Sequence, residues 1–230
     1  MMEVYSFSAK GNRENNEDFI LSHQFSPDCL FSLVADGMGG YSYGEIASSL
    51  ACESIAEYLI ANYGKSEIKQ LIIDSLNDAN KRINEKRQEL SSKMGTTIAG
   101  IMIEGSIAYI FWVGDVRIFQ FRNNEMLFQS EDHSFVNEMK KKGEVSAKEI
   151  ERYGNIVTRS LSGIPLEVEL DIVELPLIPG DLLILCSDGF WQKVNVPSIK
   201  NLSVAEIQDH VNKQEDAMDD NYSFTKIIFS

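Results

Sequence analysis

Proline is scarce in this chain, with five in 230 residues, and no Pro-, Gly- or Ser-rich stretch interrupts it. A flexible hinge of ordinary composition is therefore missing, and residues 1–230 are expected to form one domain. Internal repeats and low-complexity tracts are missing too. Cysteine is rarer still: Cys29, Cys52 and Cys186 are odd in number, far apart and without a Cys-x-x-Cys pair. That excludes a disulfide framework and points to reduced thiols. Cys29 and Cys186 lie in apolar runs, where a buried thiol is the expected role. No cysteine sits on a phosphate-cradling loop closed by arginine, so cysteine-based phosphoryl chemistry is excluded. Apolar runs are short. Stretches such as Ile107 to Val113 cannot cross a bilayer, and Met1 to Ser6 lacks the basic-then-apolar order of a signal peptide. No membrane insertion and a cytoplasmic location are expected. Basic residues are outnumbered, 21 Lys and Arg against 35 Asp and Glu, for a net charge of −14. Phosphate backbones need basic surface, which excludes nucleic acid as a partner.

What the chain does have is periodicity. Hydrophobic residues make up 43%, ordinary for a globular protein. Gly44 to Asn62 carries Ile46, Leu50, Ile55, Tyr58 and Leu59 on roughly one helical face. Ser66 to Leu90 carries Ile68, Leu71, Ile72, Leu76, Ala79 and Ile83 with charges opposite, which predicts a second long helix. The rest of the chain up to Gln129 reads as strands: Val4–Ser8, Asp18–His23, Leu30–Ala35, Thr97–Ile103, Ile107–Val113 and Val116–Arg122. Asp132 to Tyr153 reads as short helices, one opening on the capping box Ser146-Ala-Lys-Glu149. Strands are expected again at Ile156–Leu161, Val168–Glu174 and Asp181–Cys186. A second capping box, Ser203-Val-Ala-Glu206, predicts a helix to about Lys213, and Tyr222–Phe229 closes as a strand. Strands, two helices, then many strands is not the alternation of a parallel sheet. It predicts an α+β fold of two mostly antiparallel sheets with helices outside.

Acids recur at the ends of apolar strands. Phe31 to Ala35 runs into Asp36-Gly37, Leu182 to Cys186 runs through Ser187 into Asp188-Gly189, and Phe111 to Gly114 runs into Asp115. An aspartate there is rigidly held and partly desolvated, and the neighbouring glycine lets the backbone turn and approach a ligand. A single Asp-Gly is an ordinary turn. Three of them, with Asp216, Asp219 and Asp220 entering the last strand, would repel one another severely unless cations lay between. Mg²⁺ and Mn²⁺ prefer such carboxylate, carbonyl and water ligands. Glu17 and Asp18 add acids near the start, and Arg13 five residues before Asp18 suits a phosphate.

These residues, in this order, resemble the metal-dependent protein phosphatase 2C family in its short bacterial form. The matching stretches are Arg13-Glu-Asn-Asn-Glu-Asp18, Val34-Ala-Asp-Gly-Met-Gly-Gly40 with Gly44-Glu-Ile-Ala47, and Met94-Gly-Thr-Thr97. Gly114-Asp-Val-Arg117, Asp132-His-Ser134, Cys186-Ser-Asp-Gly189 and Asp220-Asn221 complete the series. Each is weak alone; seven in sequence, from Arg13 to Asn221, are specific. The resemblance implies an antiparallel β-sandwich flanked by helices, an α-β-β-α arrangement, and hydrolysis of phosphoserine and phosphothreonine in proteins. It implies two Mn²⁺ or Mg²⁺ ions and a weaker third. Asp36 would bridge the two, the Gly37 carbonyl would bind one, and Asp188 and Asp220 the other. Asp18 would hold a metal-bound water beside Glu17, Asp115 would serve the third ion, and Arg13 would bind phosphate. Residues 140–163 resemble the family's flap.

In this reading two metals acidify a water that attacks phosphorus in line, with Arg13 stabilising the charge that develops. Met38 stands where many members have a histidine proposed as the acid; a metal-bound water or His133 is the alternative donor. Val116 replaces a usual serine, Asn221-Tyr-Ser223 replaces the common Asn-x-Thr, and the Cys186–Asp220 segment is short enough to predict a trimmed helix. Phosphoprotein substrates, a serine/threonine kinase pathway and a monomeric state are the expected partners and form. A scaffold that has lost activity and an aspartyl-phosphate enzyme are the rivals. The latter lacks a second acid two residues past Asp36, where Met38 stands.

Overall fold

The computed structural model describes residues 2–38, 43–165, 170–213 and 218–230. Gly39, Gly40, Asp216 and the first residues of the expected Val168–Glu174 strand lie outside them. Ten strands make two five-stranded sheets among the described residues. One is ordered β1 (Met2–Ala9), β10 (Tyr222–Phe229), β9 (Leu182–Cys186), β6 (Arg117–Arg122), β7 (Glu125–Gln129). The other is ordered β2 (Asp18–Ser26), β3 (Cys29–Gly37), β4 (Thr96–Glu104), β5 (Ile107–Val113), β8 (Asp171–Pro176). Every pairing is antiparallel.

Three apolar clusters stack in order and define four layers. Leu30, Val34, Ile101 and Ile110 of one sheet meet Ile118, Leu183, Leu185 and Ile227 of the other, which makes the sandwich interior. Phe31, Leu33, Ile98 and Phe111 face the opposite way, onto α1 (Gly44–Asn62) and α2 (Ile68–Glu89). On the far side Phe119, Ile184 and Phe224 pack against α5 (Asp188–Trp191), α6 (Val196–Ile199) and α7 (Val204–Asn212). A strand covered on both faces must be apolar at every position, and β4 is buried from Thr96 to Ile103. This is why β3 and β4 show no alternation.

The expected helix over Gly44–Asn62 is present, and its buried face includes the expected Ile55 and Leu59 but is wider than the expected one. Ala47, Ser48, Ala51, Cys52, Ser54, Ile55, Ala56 and Leu59 are buried, whereas Ile46, Leu50 and Tyr58 are partly exposed. Lying between α2 and the sheet, α1 is covered on two sides, and small residues let both neighbours approach. The expected strand over Ile156–Leu161 is corrected: only isolated bridges, Ser134 with Val157 and Thr96 with Leu161, occur there. The segment leaves the short helices α3 (Phe135–Lys142) and α4 (Ala147–Tyr153) and crosses the end of the sandwich without a ladder. β7 is an added edge strand, mostly exposed and therefore weak in apolar signal. Both capping boxes form, Ser146 with Glu149 and Ser203 with Glu206.

Candidate metal centre

Strand register brings the acids together. Asp18 opens β2 directly opposite Asp36 near the end of β3, and Asp36 stands opposite Thr97 of β4. In the other sheet Phe224 of β10, Cys186 of β9 and Arg117 of β6 share one row. Asp220, Asp188 and Asp115 each lie a few residues beyond that row, on the same edge. Arg13, Glu17, Asp36, Gly37, Asp115, Asp188 and Asp220 all line one cleft of about 610 Å³, with Asn155 and Val157 on one wall. Arg13 is the one base among the described residues lining it, against six carboxylates.

Asp18 is placed differently. It is buried beneath the cleft; its Oδ2 accepts a 2.7 Å hydrogen bond from the Ser187 hydroxyl, and its Oδ1 has no partner among the described residues. Ser187 is itself fixed by the Ser223 N–H, 2.9 Å from its Oγ. Gly37 is tight against its neighbours: a Cβ there would come within 2.4 Å of the Gly44 carbonyl oxygen and 2.8 Å of that of Glu17. Only glycine fits where α1 begins against the end of β3. The Asp36 carbonyl accepts from the Thr96 hydroxyl at 2.7 Å.

Burial and the charge of neighbouring acids raise Asp18, Asp36, Asp115, Asp188 and Glu17 above the ordinary carboxylate range. Burial pushes Asp18 up to about 7, against the Ser187 hydrogen bond and with Asp188 and Asp220 adding to it. Asp115 reaches about 7 through burial and then the charges of Asp188 and Asp132. Asp36 is held well above its usual value by burial, Asp18, Asp188 and Asp115. Asp188 is raised chiefly by burial, and Glu17 by burial and Glu45. A cluster of this kind stores charge that a cation relieves.

The donor set fits a hard divalent ion. Carboxylates, backbone near Gly37 and open water access are what Mg²⁺ and Mn²⁺ select, and among the described residues no histidine or cysteine, the ligands zinc favours, lines the cleft. Among the described residues no three acidic, His or Cys side chains close on one point. An ion held here would complete its shell with carbonyl and water oxygens. The unpartnered Asp18 Oδ1 is a ready acceptor for such a water.

Arg13 is half-exposed and donates to Asp220 Oδ2 at 2.7 Å. Asn221 acts as a bracket: its Oδ1 takes the Glu17 N–H, and its Nδ2 donates to the Lys10 and Asn15 carbonyls. His133 does not line the cleft. Its Nδ1 accepts the Gly114 N–H at 3.0 Å, so the ring proton is on Nε2, which donates to Asp171 at 2.9 Å. The ring stacks on Trp112 in a separate pocket with Arg159. Sequence reasoning gave no role to Ser187, Asn221 or Trp191. The first two sit inside the quoted motifs, and the third lies three residues past Asp188.

The profile of protein phosphatase 2C matches residues 8–221. The "Serine/threonine phosphatase stp" of Listeria welshimeri is 34% identical over 190 residues, 79% of this chain and 75% of that protein. The "Protein phosphatase PhpP" of Streptococcus pneumoniae (strain D39) is 30% identical over 212 residues, 90% of this chain and 86% of that protein. The catalytic domain of the phosphatase PstP, crystallised with two manganese ions, superposes with a TM-score of 0.81 at 25% identity, covering 99% of this chain and 97% of that one. The chain belongs to the protein phosphatase 2C family, and its activity class is that of a protein serine/threonine phosphatase.

Proposed function

We propose that the chain hydrolyses phosphoserine and phosphothreonine in proteins at a centre of two Mn²⁺ or Mg²⁺ ions in this cleft. The observation that carries the reading is the meeting of strand-end aspartates from both sheets around one arginine. Asp36, the Gly37 carbonyl, Asp188 and Asp220 are the proposed ligands, and Asp18 with Glu17 orients water. Asp115 serves a weaker third ion. When bound, the ions supply Lewis acidity for a water and positive charge for the phosphoryl oxygens.

The chain's own residues then divide the work. Arg13 presents two N–H groups to phosphate once Asp220 is engaged elsewhere, and steadies the charge that builds on the equatorial oxygens. Asp18, buried and anchored by Ser187, fixes a water by its unpartnered Oδ1. Met38 carries no titratable proton, and both ring nitrogens of His133 are engaged outside the cleft, so the leaving oxygen takes its proton from cleft water. Residues 1–230 are proposed as one catalytic domain, with 140–163 as a flap whose Asn155 and Val157 reach the cleft. It would act as a cytoplasmic monomer opposing a serine/threonine kinase. No described helix is long and apolar enough to cross a membrane.

The test is phosphate release from a phosphothreonine peptide by metal-stripped protein, with and without Mn²⁺, beside Asp36→Asn. Release that needs Mn²⁺ and drops about a hundredfold or more in the variant is expected. A folded protein that releases nothing from several phosphopeptides with Mn²⁺ present overturns the reading in favour of a scaffold.

A further inference from the structure

The β6–β9 ladder stops at the row Arg117–Cys186. Beyond it the Asp115 loop and the Asp188 turn lie side by side with like charges and no ladder bond between them. Among the described residues a hydrogen bond spans the gap: the Trp191 indole N–H donates to the Asp115 carbonyl at 3.0 Å. Trp191 ends α5, the helix that Asp188 begins, so a single short helix carries one acid and grips the backbone of the other. The indole is itself fixed. The Arg117 guanidinium lies 3.4 Å from its ring centroid, and that guanidinium is locked by paired bonds of 2.9 and 2.7 Å to Asp132. The Asp132 carbonyl in turn accepts from Asn137 of α3 at 3.0 Å, at the root of the flap. Arg117 and Asp132 belong to motifs in the sequence that the site chemistry leaves without a task.

From this chain of contacts we infer that Trp191, clamped by Arg117, is a positioning residue that sets the spacing of Asp115 from Asp188 and so the affinity of the weaker cation site. The inference rests on the divalent-cation reading of the cleft. With the carbonyl of Asp115 taken up by the indole, its side chain is what the residue offers the cleft. Loss of the N–H lets two mutually repelling loops spread, and an ion that needs both carboxylates is held less well. The stack of a planar cation on the indole face keeps the N–H aimed, and a lysine cannot reproduce either the stack or the paired bonds.

The test is a calorimetric Mn²⁺ titration of metal-stripped protein, read with melting temperature, for the natural sequence, Asp115→Asn, Trp191→Phe and Arg117→Lys. Asp115→Asn removes the weak phase. Trp191→Phe keeps an aromatic face for Arg117 but not the hydrogen bond, and weakens that phase alone by about fivefold. Arg117→Lys keeps the charge and the indole and shifts the same phase in the same direction. It carries the test if Trp191→Phe fails to fold. A weak phase lost in Asp115→Asn yet unchanged in Trp191→Phe overturns the inference and leaves the metal reading standing. Equal weakening of every phase with a lower melting temperature overturns it too, as a general structural role. No Mn²⁺ binding by the natural sequence overturns the metal reading and this inference with it.

Discussion

Protonation of single aspartates governs how this protein responds to pH. Asp18 and Asp115 are raised from the ordinary value near 4 to about 7. An acid with a raised folded value favours the fold while protonated. That stability is whole below about pH 4 and is lost as pH climbs to about 7, because the buried site resists ionising more than the unfolded chain does. Metal-stripped protein is therefore expected to melt lower at pH 8 than at pH 6. Asp18→Asn is expected to flatten the difference by on the order of 1 kcal/mol, as checked by calorimetry across pH. His133 works in the opposite sense. Burial first, then Arg159, lowers its value, so its contribution is present above its ordinary pKa and lost as pH falls through the folded value. Its ring also takes the Gly114 N–H, at a glycine with φ of +116° where a Cβ would press on Thr97. His133→Ala leaves that N–H unpaired and is expected to cost about 1–3 kcal/mol, measured by denaturant unfolding.

Helix α4 shows what an element is worth when little packs against it. None of its residues is buried, so its capping box carries much of its local stability. Ser146→Ala is expected to cost the helix about 1 kcal/mol. Hydrogen exchange over 147–153 is expected to rise while the global melting temperature stays put, since a helix with no buried residue can open without the sandwich. The elements that were legible in sequence are those whose period the core enforces. The helix from Gly44, the strand Ile107–Val113 and the strand Tyr222–Phe229 have the expected bounds. Ile156–Leu161 was misread because its apolar residues mix two duties: Val157 lines the cleft and Leu161 joins the core, while Ile156 is exposed. No periodic rule describes a segment that serves three surroundings in six residues. The burial of α1 is only partly legible, because two-sided packing adds alanine, serine and cysteine to the large Ile55 and Leu59, and small residues carry no apolar period. The acids were legible one by one as strand ends. Their convergence follows from the family resemblance and not from the strand pattern, because it depends on which strands are neighbours, and the order β1-β10-β9-β6 is set by pairings across nearly the whole chain.

At the scale of the molecule, charge opposes compaction. A net charge of −14, with six carboxylates in one cleft, makes the fold self-repelling around its own site. Chelating divalent ions is expected to lower the melting temperature at neutral pH, Mn²⁺ to restore it with the logarithm of its concentration above its Kd, and NaCl to restore it in part by screening. A thermal-shift series in the three conditions checks all three outcomes.

The pairing of β1 with β10 over eight rungs, Met2 with Phe229 through Ala9 with Tyr222, has a consequence for the order of events on the ribosome. Strands β2 to β5, with α1 and α2, are complete by Val113 and can settle while synthesis continues. β1 waits, unpaired, until the strand that begins at Tyr222 emerges. Asp220 and Asn221 arrive only just before it, so the cleft cannot close around a half-made chain. A polypeptide stalled short of that point holds one finished sheet, one exposed edge and no working centre. Activity becomes available only once that strand has emerged.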